Sequence, residues 1–152
     1  MRKRLVCAAT LILAGILLCS GAMAQGGLKL RGSGGWGAGL PYNRLYDPAT
    51  VQTLRGEVLK VDKLTPSEGM SDGLHLMLKT REETIPVHLG PMWYLERQEF
   101  SVEPGDRIEV VGSRVMFEGS SALIAAQVKK ADKVLYLREE SGFPLWSGWR
   151  RR

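Results

Sequence analysis

Two runs of alternating residues restrict the fold of this chain more than any other feature. In GLHLMLKTREETIPVHLG, residues 73–90, Leu74, Leu76 and Leu78 alternate with His75, Met77 and Lys79. Beyond TREE, Ile85, Val87 and Leu89 alternate with Thr84, Pro86 and His88. A period of two sends successive side chains to opposite faces of a strand, so each run is a strand with one apolar face. The four residues between them close a hairpin. Keeping both apolar sets on one side fixes the register, because a slip of one residue would turn the whole set outward. Lys79 then lies opposite Thr84, Met77 opposite Pro86, and His75 opposite His88. Pro86 lacks an amide hydrogen, so it needs a position whose nitrogen points away from the ladder, or an edge.

The flanking segments extend the pattern. TVQTLRGEVLKVDKL reads as one long strand with Gly56 at a bulge or bend. TPSEGMSDG is a loop by composition. Gly90-Pro91 opens MWYLERQ, a helix of one or two turns with proline at its start and Trp93 and Tyr94 as a plug for the barrel bottom. VEPGD turns into RIEVVGSRVMF, bent at Gly112, then EGSS into ALIAAQVKK, and VLYLR is a short sixth run. A long bent strand, a hairpin, a short helix and two more strands describe an all-β, five-stranded OB-type barrel with its helix between strands 3 and 4. A small β-sandwich or an SH3-like barrel with an insertion is the alternative, and the helix favours the OB order. The domain is expected over residues 49–138.

The two ends read differently. Arg2, Lys3 and Arg4 precede an uncharged run from Leu5 to Leu18, and Ala22-Met23-Ala24 supplies a cleavage pattern. Residues 1–24 therefore read as a signal peptide cut before Gln25, too short in its apolar run for a comfortable membrane span. The expected location is the periplasm. The signal takes three of the 21 basic residues and none of the 16 acidic ones, so a formal charge of +5 falls to +2. A strongly basic, nucleic-acid-seeking body is not what remains. Cys7 and Cys19 leave with it, and with them any disulfide, thiolate nucleophile or cysteine metal ligand. Residues 25–48 combine a glycine-rich leader, where Trp36 reads as a stray aromatic, with a denser lead-in from Pro41. The tail, residues 139–152, ends in SGFPLWSGWRRR. Leu145 and Trp146 are expected to fold back on the barrel, and Trp149, Arg150, Arg151 and Arg152 to meet an anionic surface.

At LRGEVLKV, VEPGDRIEVVGSRV and LIAAQVKK the chain resembles the small exported bacterial OB-fold proteins, a group that includes stress-induced periplasmic members. The resemblance implies a ligand- or nucleic-acid-binding module rather than an enzyme. The haem-handling OB-fold chaperones of the periplasm are similar in fold alone: their histidine lies in a C-terminal segment, and this tail has none.

The residues themselves favour binding over catalysis. Ser67, Ser71, Ser113, Ser120 and Ser121 lie in turns or near strand ends without a nucleophile elbow, and Glu82-Glu83 is a solvated turn. No cofactor is expected. The expected ligand-binding face is His75, Met77, Lys79, His88 and Arg114, on the strand 2–3 surface that OB-folds use. His75, His88 and Met77 form a combination copper accepts. Two good ligands and one doubtful one fall short of the three or four a stable site needs, so the histidines are expected to be polar cover with no metal. The expected partner is a small ligand, an oligosaccharide, a peptide or an envelope protein. Nucleic acid ranks below these because of the compartment.

Overall fold

In the computed structural model, which describes residues 33–147, strands β1 (Val51–Leu64), β2 (Gly73–Lys79), β3 (Thr84–Pro91), β4 (Arg107–Phe117), β5 (Ser120–Lys130) and β6 (Lys133–Tyr136) follow one another with one short helix, α1 (Met92–Leu95), between β3 and β4. The ladder runs β3-β2-β1-β4-β5-β6, and a parallel pairing of Val87 and His88 in β3 with Leu123 and Ile124 in β5 closes the ring. That closure, with the long β1 shared between β2 and β4, is the OB barrel. The sixth run, outside the five expected barrel strands, forms β6. It pairs with β5 from Gln127 to Lys130, beyond the reach of β3.

Register follows the sequence pattern. His75 pairs with His88, Met77 with Pro86 and Lys79 with Thr84. Pro86 stands just before the stretch where β3 pairs on its second edge, so its missing amide costs nothing there. Leu76, Leu78, Ile85, Val87 and Leu89 fill the interior with Val58, Val110, Leu123 and Val128. β5 buries five consecutive residues, Ala122–Ala126, which is what a strand covered on both faces requires.

Two glycines expected at bends do different jobs. At Gly112 the β4–β5 register shifts, so a bulge is present. β1 instead shifts register between Val58 and Lys60, and at Gly56 a Cβ would lie 2.3 Å from the Lys79 carbonyl oxygen. Gly56 is there for close approach.

The leader is where the structure departs most from the sequence reading. Trp36 is 1% exposed and belongs to the core, together with Tyr42 from the lead-in and Trp146 from the tail. Trp36 donates from Nε1 to the Ser71 carbonyl at 2.9 Å, and Trp146 donates from Nε1 to the Trp36 carbonyl at 2.8 Å. Both indoles lie against glycines of the β2–β3 hairpin. A Cβ on Gly73 would come within 2.5 Å of the Trp36 ring, and one on Gly90 within 2.8 Å of the Trp146 ring. Over residues 33–40 the expected flexible linker with one stray aromatic is therefore corrected to a strap sealed by paired indoles; residues 25–32 of that leader lie outside the described residues. Trp146 does fold back, as expected.

Candidate functional site

The histidines come together, but not on a wet surface. His88 is 3% exposed. The Tyr42 ring stacks on it at 11° and 6.0 Å, and Phe117 and His75 meet it edge-on at 4.8 and 5.8 Å. Tyr42 Oη lies 2.8 Å from His88 Nδ1. Burial raises the Tyr42 pKa, which keeps the phenol protonated and makes it the donor. His88 then accepts at Nδ1 and carries its proton on Nε2. Burial first, and the neighbouring His75 second, lower the His88 pKa to about 4, so the imidazole is neutral. The expectation of polar cover is corrected for His88, because the lead-in strap and the end of β4 lie over the OB face.

As a metal centre this pair is short of donors. One nitrogen of His88 is committed to Tyr42, and among the described residues no group of three His, Cys, Asp or Glu side chains converges. His75 Nδ1 is buried with no hydrogen-bond partner.

The rest of the expected face divides. Met77 is half-buried. Arg114 is held by both carboxylate oxygens of Glu83 and by Ser121 Oγ at 3.0 Å, which also keeps the Glu83 carboxyl below its ordinary range. Lys79 points elsewhere, into a cleft of about 570 Å³ with Arg55, Glu57, Arg81, Arg107, Glu109 and Lys129. Trp149 and Arg150–Arg152 lie outside the described residues.

Strand pairing builds this cleft. Arg55, Glu109 and Lys129 form one cross-strand row over β1, β4 and β5, and Lys79, Glu57 and Arg107 form the next over β2, β1 and β4. Arg81 projects from the β2–β3 turn. Arg55 and Glu109 neutralise each other at 2.5 Å. Among the described residues no ion pair engages Lys79, Arg81, Arg107 or Lys129. Four cations outside any ion pair among the described residues thus line one concave surface, with Glu57 as the only charge there besides the Arg55–Glu109 pair. Period-two reading placed Lys79 correctly on the outer face but gave no hint of its β4 and β5 neighbours, which depend on barrel closure.

A second missed residue is Arg138. It is 5% exposed, donates to Asn43 Oδ1 at 2.7 Å and to the Gly142 carbonyl at 3.1 Å, and lies over the rings of Tyr46 and Trp146 at 5.1 and 4.9 Å. Asn43 in turn donates to the Trp36 and Gly37 carbonyls. Burial lowers the Arg138 pKa to about 10, still far above neutrality. Arg138 is a staple between strap, barrel and tail.

Residues 50–135, the barrel from the start of β1 to β6, match the model of the MamS/MamX magnetosome protein family. The chain belongs to that family. This replaces the resemblance to the stress-induced exported group, whose shared residues are the glycine and valine pattern of an OB barrel. Among solved structures, the MamS/MamX chain is similar to the second OB-fold domain of replication protein A from Methanococcus maripaludis. Identity is 22% over 55% of this chain and 85% of that one, with a TM-score of 0.39. It is also similar to a chain of the S. pombe Stn1-Ten1 complex, 15% identical over 77% of this chain and 88% of that one, with a TM-score of 0.40. No curated protein matches the chain.

Proposed function

We propose that this MamS/MamX protein is an exported, non-enzymatic binding or adaptor module whose ligand or partner is anionic. One observation carries the reading: Lys79, Arg81, Arg107 and Lys129 share a cleft without an ion pair among the described residues. Basic side chains with low-dielectric walls between them focus a positive potential and raise the local concentration of anions. The signal sequence supports export, and the family's magnetosome description supports a partner on that organelle. The buried, strap-covered state of His88 argues against the metal-handling alternative.

Calorimetric titration of mature protein, residues 25–152, with inorganic phosphate, citrate and poly-L-glutamate tests the reading. Binding of at least one anion is expected. It should weaken as salt rises, because the Debye length shortens from about 10 Å at 0.1 M to about 3 Å at 1 M. It should also be lost in the variant Arg107→Glu with Lys129→Glu. Failure of all three anions at low salt would overturn the proposal.

A further inference from the structure

The cleft is bordered by a strand edge, and that narrows the ligand class. β1 pairs with β2 only from Glu57 onward, while Val51–Glu57 pairs with β4. Among the described residues no strand pairs with the other edge of Val51–Arg55. The Val58 amide donates to Asp106, and Val58 accepts from the Gly105 amide, so the Val58 backbone groups point to the β4 side. Counting back by twos puts Gly56, Leu54 and Gln52 on that same side. The amides and carbonyls of Thr53 and Arg55 therefore point to the open edge, where both residues are exposed. The edge leads into the cleft at Arg55, Gly56 and Glu57, with Lys79, Thr80 and Arg81 across the gap.

From this arrangement we infer that the cleft binds an extended acidic peptide segment of a partner protein, which adds as a strand along Val51–Arg55 and sets its carboxylates against Lys79 and Arg81 across the gap. The inference rests on the anion-binding reading and deepens it. Strand addition draws affinity from main-chain hydrogen bonds and specificity from alternate side chains. Charges are also how proteins guard a bare edge against self-association. Here the uncompensated charges are of one sign, so the edge repels a second copy of itself and admits an acidic strand. The chain's own segments outside the described residues do not complement it: residues 25–32 carry Lys29 and Arg31, residues 148–152 carry Arg150, Arg151 and Arg152, and neither carries an acid. At ~3.3 Å per residue, five or six partner residues cover the edge.

The test uses mature protein and four probes: an end-blocked peptide of about eight residues alternating glutamate with valine, the same peptide N-methylated at alternate residues, citrate, and a single-stranded oligonucleotide of equal charge. Binding of the plain peptide, weakened on the order of tenfold or more both by N-methylation and by Lys79→Glu with Arg81→Glu, is the expected result. Slowed amide exchange at Thr53 and Arg55 on peptide addition should accompany it. Equal binding of plain and N-methylated peptides would overturn strand addition while leaving the anion-binding reading intact. Tighter binding of citrate or of the oligonucleotide than of the plain peptide would do the same. Failure of every probe would overturn both.

Discussion

At the scale of single residues, His88 is the most exposed to test because it is a titratable group held neutral. Its pKa in the folded chain is about 4, against an ordinary value of 6.5. Between those values the unfolded chain binds a proton that the folded chain refuses, so stability rises with pH across that window and falls on acidification. The depression corresponds to about 3 kcal/mol lost between pH 6.5 and pH 4. Thermal melts at pH 7, 6 and 5 should show a steady fall in Tm, and His88→Phe should flatten it; an unchanged slope would show that another group carries the acid sensitivity. Arg138 gives a second residue-level expectation. Arg138→Met keeps much of the volume but leaves Asn43 Oδ1 without its donor and removes the cation from Tyr46 and Trp146. A loss of about 2–4 kcal/mol in urea unfolding is expected, since both a buried acceptor and packed contacts are forfeited.

Elements show what a sequence can and cannot reveal. The β2–β3 register was legible because two constraints agree, the period-two pattern and a loop of fixed length. The strap was not legible. Seven glycines between Gln25 and Leu40 read as a linker, yet glycine is also what permits close approach of backbone to a neighbouring element. Gly34 and Gly35 have φ of +54° and +85° and pack against Ser71 and Met70, and Ser71 donates its amide to the Gly34 carbonyl at 2.7 Å. Composition cannot separate those two uses of glycine; contacts 35 to 37 residues apart do. Arg138 was equally hidden, because an arginine at a strand end is by default solvated. At the candidate site Lys79 was readable from alternation, whereas Arg107 and Lys129 join it only once β1, β4 and β5 are in register. The indole seats provide the element-level prediction. Gly73→Ala should force the Trp36 ring or the β2 backbone to move, at about 1–3 kcal/mol, the usual cost of overpacking. Gly69→Ala makes a useful comparison: its φ is +80°, unlike that of Gly73, and no atom lies within 4 Å of the added carbon. A larger loss of Tm for Gly69→Ala than for Gly73→Ala would show that backbone strain in the β1–β2 loop outweighs the indole seat.

For the whole molecule, the limits of the folding unit follow from where its core ends. Sequence placed a self-sufficient barrel between Ala49 and Arg138. In the structure, three of its aromatic core residues, Trp36, Tyr42 and Trp146, come from outside those limits. Each aromatic side chain buries on the order of 150–250 Å², and at about 25 cal/mol per Å² each contributes several kcal/mol of apolar burial. A domain of this size has only about 5–15 kcal/mol of net stability, so losing all three is not a surface adjustment. The barrel cannot simply close over the loss, since Gly73 and Gly90 leave the β2–β3 surface without side chains where the indoles sit. A chain covering residues 49–138 is therefore expected to be unfolded or to expose apolar surface that binds a dye such as ANS, while one covering 33–147 melts cooperatively near the Tm of residues 25–152. Circular dichroism melts of the three chains, with dye binding at 25 °C, make the comparison. Equal Tm for all three would show that the strap and tail are passengers, and that the buried indoles contribute little to holding the barrel together.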